Sequence, residues 1–427
     1  EHMGMAVGEV IQMDPQHREL VETCWRVQRW FKGDQWRTVD LVSCFVGICV
    51  SDVGEAITGR NAQYQGHALT GRALSVASGR LSYLFQLRSA SASIDTACSS
   101  SLVTLWLSTS ALNTNMSLFS ISGGVNIIMR LATTQMFAAA GMLSAEGRCK
   151  TLDATADGYC RAEACGLSVL SSQQSEAFVA KLLASAVNQD GRSSSLTAPN
   201  GPSQQALLRR ILSKSELQAE AIHVHQMHGT GTALGDPIEV TAIAGVLKRA
   251  HSSPLSLVAV KAACGHAEPA AGVVGLQRLA AAIGHRRRER LDHLRHLNPY
   301  LCQSMDQGLT ASSITSPFVS QSVISAGGVS GFAFQGTNAS VLLSSGAQWL
   351  ANDGVLLIAH NVFRSVAQRS FSMRIAVDCS MVGVVRWDAR LTRGILGDLW
   401  DHNVMGRCLF PGTGFLESFS QAIDTVD

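Results

Sequence analysis

Apolar runs and one-sided apolar stripes take turns along most of the chain. Residues 41–50 (LVSCFVGICV) form a short continuous apolar run, the pattern of a strand buried on both faces. The spacing of Leu74, Ala77, Ser78 and Leu81 predicts a helix over 70–84, and that of Leu102, Val103, Trp106 and Leu107 a helix over 99–112. Asp14 followed by Pro15 reads as an N-cap with proline at the first helical position, opening a helix that buries Leu20, Val21, Cys24, Trp25 and Val27. Further strands are predicted over 91–96, 166–170, 179–187, 221–227 and 255–260. A last pair, 323–326 and 339–343, flanks a glycine-rich loop. Helices are predicted over 203–212, 237–249 and 270–283. The last is apolar nearly all round, which implies burial between sheets. Strand, loop and helix thus alternate, as in an α/β fold.

Composition supports a large core. Of 427 residues, 46% are hydrophobic and 15% charged, and 38 are glycine, so many tight turns are expected. The net charge of +2 gives no global pointer to nucleic acid or to an acidic partner. The one basic run, 285–290 (HRRRER), reads as a solvated surface segment. No segment reaches the roughly 18 apolar residues of a membrane span, and residues 1–10 do not have the pattern of a signal peptide. The 11 cysteines include no CxxC pair, which argues against a disulfide framework and against a zinc ribbon. Reduced thiols imply an intracellular compartment, cytoplasmic by default, with an organelle left open.

Four segments carry candidate chemistry. In residues 95–102 (DTACSSSL), Cys98 sits between a predicted strand and a predicted helix. The helix dipole there favours a thiolate, and free backbone N–H groups suit an oxyanion. Residues 228–232 (HGTGT) place His228 on a turn of small residues, with Thr230 and Thr232 as paired hydroxyls. Residues 261–268 (KAACGHAE) put Lys261, His266 and Glu268 around a second glycine turn, and 332–338 (FAFQGTN) put Phe334 in a loop between strands. Taken singly, each also fits a plain structural role: a buried cysteine, a satisfied core histidine, a solvated helix start, an ordinary turn. Taken together, one cysteine and two histidines on such turns are what nucleophilic acyl chemistry uses.

These segments, in this order, closely resemble the β-ketoacyl synthase (ketosynthase) domain of modular polyketide synthases. The likeness extends to 14–18 (DPQHR), 141–144 (GMLS), 147–150 (GRCK), 188–192 (NQDGR) and 196–202 (LTAPNGP), and runs to Ser344. It implies a thiolase-like, five-layer αβαβα fold built from two similar halves, and a homodimer. It implies Cys98 as nucleophile, His228 and His266 as donors for decarboxylation, and Lys261 with Glu268 ordering the charges around His266. The backbone N–H groups of Cys98 and Phe334 would form the oxyanion hole, with Phe334 also gating the tunnel. Thr230 and Thr232 would bind pantetheine. No cofactor or metal is expected to be bound, since the phosphopantetheine arm of an acyl carrier protein brings the substrates.

The likeness also sets expectations where the chain departs from it. Ala263 stands where the family usually has Asn, and Ala164 and Ala333 where it has Gly, so crowding is expected at those sites. The family carries a βαβ portion, with a central strand, ahead of Asp14. The fold is therefore expected to be incomplete at the N-terminus, with exposed strand edges. The ketosynthase pattern fills 1–345, followed by a linker over 346–380. In 381–427, His402, Gly406 and Pro411 match the HxxxGxxxxP pattern of polyketide synthase dehydratases, implying a fragment of a hot-dog (α+β) domain from which no dehydration is expected. With no acyltransferase between the two, extender loading would come from a separate acyltransferase or other synthase domains. Two other readings stay open on sequence: an inactive remnant that dimerises or docks a carrier, and a thiolase-type enzyme using free coenzyme A. The second histidine speaks against the thiolase arrangement.

Overall fold

The computed structural model describes residues 4–30, 41–50, 66–172, 180–250, 253–284, 287–288, 290–312, 316–317, 325–345, 355–359, 373–376, 386–389, 403–404 and 407–408. The chain divides into two compact units, Glu1–Val362 and Phe363–Asp427.

The strands of the first unit are β1 (Val42–Ile48), β2 (Ser91–Ile94), β3 (Phe119–Asn126), β4 (Ala164–Ser171), β5 (Ala180–Gln189), β6 (Ile222–Gln226) and β7 (Leu255–Val258). They continue with β8 (Arg287–Arg288), β9 (Leu309–Thr310), β10 (Ser316–Pro317), β11 (Ser325–Phe332), β12 (Thr337–Ser345) and β13 (Val355–Ala359). The helices are α1 (Val7–Gln12), α2 (Pro15–Trp30), α3 (Ala68–Arg72), α4 (Leu74–Phe85), α5 (Ser100–Asn113), α6 (Leu131–Ala139), α7 (Gly201–Ser215), α8 (Gly235–Leu247), α9 (Val260–Cys264), α10 (Ala271–Gly284) and α11 (Cys302–Met305).

One sheet of 11 strands runs β2-β1-β3-β4-β13-β5-β12-β11-β6-β7-β9. Alternation along the strands sorts its side chains into separate cores. On β1, Val42, Cys44, Val46 and Ile48 join Leu20 and Cys24 of α2 and Leu81 and Phe85 of α4 in one cluster. The alternate residue Ser43 hydrogen-bonds Ser120 of β3, which in turn donates to Ser108 of α5. At the other end of the sheet, α7 and α8 bury Leu207, Leu208, Val240 and Ile243 against Ile222 and Leu257. A third cluster joins α5, through Leu102 and Leu105, to α10, through Leu276 and Leu279, and to Leu170, Val329 and Val341. Helices α5 and α10 pack on each other and on strands of both halves of the sheet. The layers are therefore α2/α4, half-sheet, α5/α10, half-sheet, α7/α8, the five layers expected from the resemblance. Close approach of the central pair requires Gly272, where a Cβ would meet Leu102 Cγ at 2.6 Å.

Three local expectations change. The helix over 70–84 breaks at Ala73, which is extended (ψ 121°), and beside the break Gly71 C=O accepts the N–H of Asp14. The strand over 255–260 stops at Val258, and Lys261 lies on the short helix α9 rather than at a strand end. Helix α6 forms from LATTQMFAA, a segment without a one-sided apolar stripe. The place beside β4 is taken by β13, from the stretch read as linker, so β4 is paired on both sides.

In the second unit, β14 (Met373–Ala376) pairs antiparallel with β15 (Arg386–Ala389), and β16 (Asn403–Val404) with β17 (Arg407–Cys408). These pairs do not establish a hot-dog fold. His402, Gly406 and Pro411 lie outside the described residues. Among the described residues, no helix is long and apolar enough to cross a membrane.

Candidate active site

Cys98 lies in a 3-10 turn, Ala97–Ser99, between β2 and α5. Ala97 has φ +50°, a left-handed conformation that a Cβ disfavours and that costs on the order of 1–3 kcal/mol. The turn is held by Ser100 Oγ, which donates to Ala97 C=O and accepts the Thr96 N–H. Asp95 also accepts the Ala97 N–H. These bonds aim the sulfur at the second half of the fold, where Cys98 Sγ meets His266 Nε2 at 3.0 Å.

Both histidines have a fixed tautomer. His266 Nδ1 accepts the N–H of Glu268 at 3.3 Å, and His228 Nδ1 accepts the N–H of Phe332 at 3.2 Å. Each Nε2 therefore carries the hydrogen. Burial first, then the charge of Lys261, holds both imidazoles well below the usual histidine range. They are neutral donors at pH 7. Their rings stand edge to face, with centroids 5.5 Å apart. The main chain of His266 is pinned on both sides: its N–H donates to Cys160 C=O, and its C=O accepts from Ala162.

The thiol corrects a sequence expectation. Burial pushes Cys98 up to about 12, and Glu268 adds to the rise. Lys261 and the backbone N–H groups of Cys98 and Phe334 pull the other way without prevailing. Cys98 is thus a thiol at rest, not a thiolate. Those same two N–H groups face the sulfur, where the resemblance expects an oxyanion hole.

The turn carrying His228 depends on two buried carboxylates that sequence reading did not single out. Glu239 Oε1 accepts the His228 N–H at 2.7 Å, and Oε2 the Gly229 N–H at 2.9 Å. Asp236 accepts the N–H of Leu152 at 2.8 Å and of Gly231 at 3.1 Å. Gly231 has φ +77°, and a Cβ there would meet the Lys150 nitrogen at 2.7 Å, so the turn requires glycine. Burial raises Asp236 to about 6 and Glu239 to about 7. The available signal was the pair of acids three apart in the first turns of an otherwise apolar helix.

Lys261 is 4% exposed, and burial lowers its pKa; Glu239 leads the charges that oppose this. The Glu268 carboxylate is bound by Arg161, whose Nε donates to Oε1 and whose Nη2 donates to Oε2 at 3.0 Å. Glu268 meets His266 through its backbone. Arg161 also donates to Thr134 at 2.8 Å and lies 5.1 Å over the Phe137 ring. Tyr159 stacks edge-on to His266 at 5.0 Å. Thr230 is buried, and Thr232 Oγ1 accepts the Gly235 N–H at the start of α8. Phe334 is 43% exposed. Ala263 is exposed, so its methyl is not crowded, whereas Ala333 is buried. Among the described residues, no group of His, Cys, Asp or Glu is placed to hold a metal ion.

Comparison with known proteins adds to this geometry. Residues 2–176 match the β-ketoacyl synthase N-terminal domain, and residues 179–294 its C-terminal domain. One of the phenolphthiocerol/phthiocerol polyketide synthase subunits of Mycobacterium tuberculosis is 36% identical over 358 residues, 82% of this chain and 19% of that protein. Polyketide synthase GfsA of Streptomyces halstedii is 39% identical over 300 residues, 67% of this chain and 4% of that protein. The chain thus spans no more than about a fifth of these relatives. Among solved structures, the ketosynthase from module 6 of the Bacillus subtilis bacillaene synthase superposes with a TM-score of 0.73. It is 27% identical, over 81% of this chain and 62% of that one. An oxazolomycin ketosynthase domain from Streptomyces albus gives 0.73 at 26% identity, over 81% of this chain and 62% of that one. With both family domains matched in order, and with a Cys-His-His site on the thiolase-like fold, the chain belongs to the β-ketoacyl synthase family.

Proposed function

We propose that this chain is a 3-oxoacyl synthase of polyketide biosynthesis, an acyltransferase that works on carrier-bound thioesters. The carrying observation is the 3.0 Å approach of Cys98 Sγ to His266 Nε2, with the second neutral donor, His228, beside it. In the first step Cys98 sulfur attacks an acyl-pantetheine thioester. The Cys98 proton leaves with the pantetheine sulfur as a thiol, and an acyl-Cys98 thioester remains. The N–H groups of Cys98 and Phe334 would carry the oxyanion. In the second step a malonyl-type thioester loses carbon dioxide, and the bonding pair stays on the α-carbon as an enolate. Nε2–H of His228 and His266 would donate to the enolate oxygen. That carbon attacks the acyl carbon, and Cys98 leaves as thiolate and regains a proton.

In this reading Thr230 and Thr232 bind the pantetheine arm, Phe334 gates the tunnel, and Lys261 and Glu268 set the charge around His266. No bound cofactor is required. The partners are an acyl carrier protein, a second copy of the chain, and other synthase domains or a separate acyltransferase. We also assign 381–427, on the HxxxGxxxxP pattern, to the start of a dehydratase-type domain. Slowed hydrogen exchange there on adding a β-hydroxyacyl-pantetheine supports that assignment, and unchanged exchange removes it.

The synthase reading is tested by intact-mass analysis with an acyl-pantetheine thioester. One acyl adduct in wild type and none in Cys98→Ala supports it. No adduct from folded protein sinks it.

A further inference from the structure

The turn that follows His266 is held against its own preference. Glu268 has φ +45°, a left-handed backbone that a Cβ disfavours. Pro269 comes next and narrows the conformations open to Glu268 further. A residue in such a state keeps it only where its surroundings impose it. Here the grip is Arg161. Its Nε donates to Glu268 Oε1 and its Nη2 to Oε2 at 3.0 Å, a planar fork between two buried side chains. Arg161 is itself fixed on α6, donating to Thr134 Oγ1 at 2.8 Å with its guanidinium 5.1 Å over the Phe137 ring. The same device stands across the site, where Ala97, at φ +50°, is held by Ser100 and Asp95 beside Cys98.

The strained turn aims the Glu268 N–H back at His266 Nδ1, 3.3 Å away. The main-chain bonds of His266 to Cys160 and Ala162 place the residue but leave its ring hydrogen unassigned. Burial, Lys261 and Arg161 hold the ring neutral, so what remains to be chosen is which nitrogen carries the hydrogen. With Nδ1 accepting, the hydrogen sits on Nε2, 3.0 Å from Cys98 Sγ. Released from the Glu268 N–H, the ring could carry it on Nδ1 and offer a lone pair at Nε2 instead. A donor to substrate would then become an acceptor.

We propose that Arg161 is a positioning residue for decarboxylation: its fork on Glu268 keeps the left-handed turn whose N–H binds His266 Nδ1, and so keeps Nε2 a donor. The consequence for decarboxylation rests on the synthase reading above; the tautomer does not.

Long-range 1H–15N spectra of the full chain labelled with 15N-histidine read the tautomer directly, with the His266 ring identified by its loss in His266→Gln. In wild type at about pH 7 the hydrogen should sit on Nε2. In Arg161→Gln it should be shared between the two nitrogens. Malonyl-pantetheine decarboxylation should fall about 10- to 100-fold, with the acyl adduct on Cys98 kept within a few-fold. A merely structural role would cut both steps alike. Because Arg161→Gln strands a buried carboxylate, two double variants separate charge from conformation. Arg161→Gln with Glu268→Gln removes the charge but keeps a Cβ at the left-handed position, and should stay impaired. Arg161→Gln with Glu268→Gly removes both burdens and should recover decarboxylation at least about 5-fold over Arg161→Gln. Three results overturn the proposal: the hydrogen on Nδ1 in wild type, an unchanged tautomer in both Arg161→Gln and its double with Glu268→Gln, or equal recovery in the two double variants. A tautomer that shifts as stated in a chain whose wild type releases no carbon dioxide would uphold the role of Arg161 and sink the synthase reading instead.

Discussion

His228 hangs from Glu239: one oxygen of the buried carboxylate takes the backbone N–H of His228 at 2.7 Å, and the other takes that of Gly229. In the proposed reaction the imidazole of His228 is thus aimed at its substrate by an acid buried behind the turn. Glu239→Gln keeps the volume but turns one acceptor into a donor facing an N–H. We expect malonyl-pantetheine decarboxylation to fall about 10- to 100-fold, with Cys98 acylation kept within a few-fold. Release of carbon dioxide and the intact-mass adduct read the two steps separately. An equal loss in both would assign Glu239 to the fold alone.

The two histidines should divide the same way. His228 does not contact Cys98 among the described hydrogen bonds, whereas His266 does. His228→Ala should cut decarboxylation on the order of 100- to 1000-fold and leave the acyl adduct. His266→Ala should impair both steps. A normal decarboxylation rate in either variant contradicts the assigned donors.

Because burial pushes Cys98 up to about 12, its alkylation by iodoacetamide should keep rising about tenfold per pH unit up to about pH 9.5. A plateau below about pH 8 would mean that the thiolate already exists at rest. Site-resolved mass spectrometry separates Cys98 from the other cysteines.

His225 is fully buried, and burial lowers it to about 4. Unfolded, it takes a proton below about 6.5. Its lowered value therefore means that its contribution is present above about 6.5 and is lost as pH falls towards 4. Asp236 and Glu239, raised by burial, act in the opposite direction over an overlapping range, so total stability is not the readout. The difference is. The gap in urea midpoint between wild type and His225→Asn should shrink on going from about pH 7 to about pH 4.5. A constant gap would show that His225 does not titrate differently on unfolding.

Much of this was legible beforehand. The alternation of apolar runs and stripes yields an α/β fold, and the family resemblance carried by the motifs around Cys98, His228 and His266 supplies the five layers and the expectation that those three residues meet. What escaped has physical causes. Glu239 sits in a helix whose other residues are mostly apolar, and nothing local says that its carboxylate faces back onto a turn 10 residues earlier. Tyr159 and Arg161 lie in irregular chain without periodicity. Strand β13 is short, and its partners are remote in sequence, so only the ladder identifies it. The helix end beside Cys98 is visible in the sequence, but the burial that opposes its pull on the thiol arises only from tertiary packing.

Gly272 also sets the gauge of the whole assembly. A methyl group there would meet Leu102 Cγ at 2.6 Å and Ser101 Oγ at 2.8 Å, so the two central helices could admit one only by moving apart. Helix α10 follows directly on the turn that carries Glu268, two residues after His266, and α5 follows directly on the turn that carries Cys98. Spreading the crossing would therefore stretch the 3.0 Å span from Cys98 Sγ to His266 Nε2. The spacing of two reactive groups is thus fixed by a side chain that is not there, and the outer layers are free to drift in a way this crossing is not.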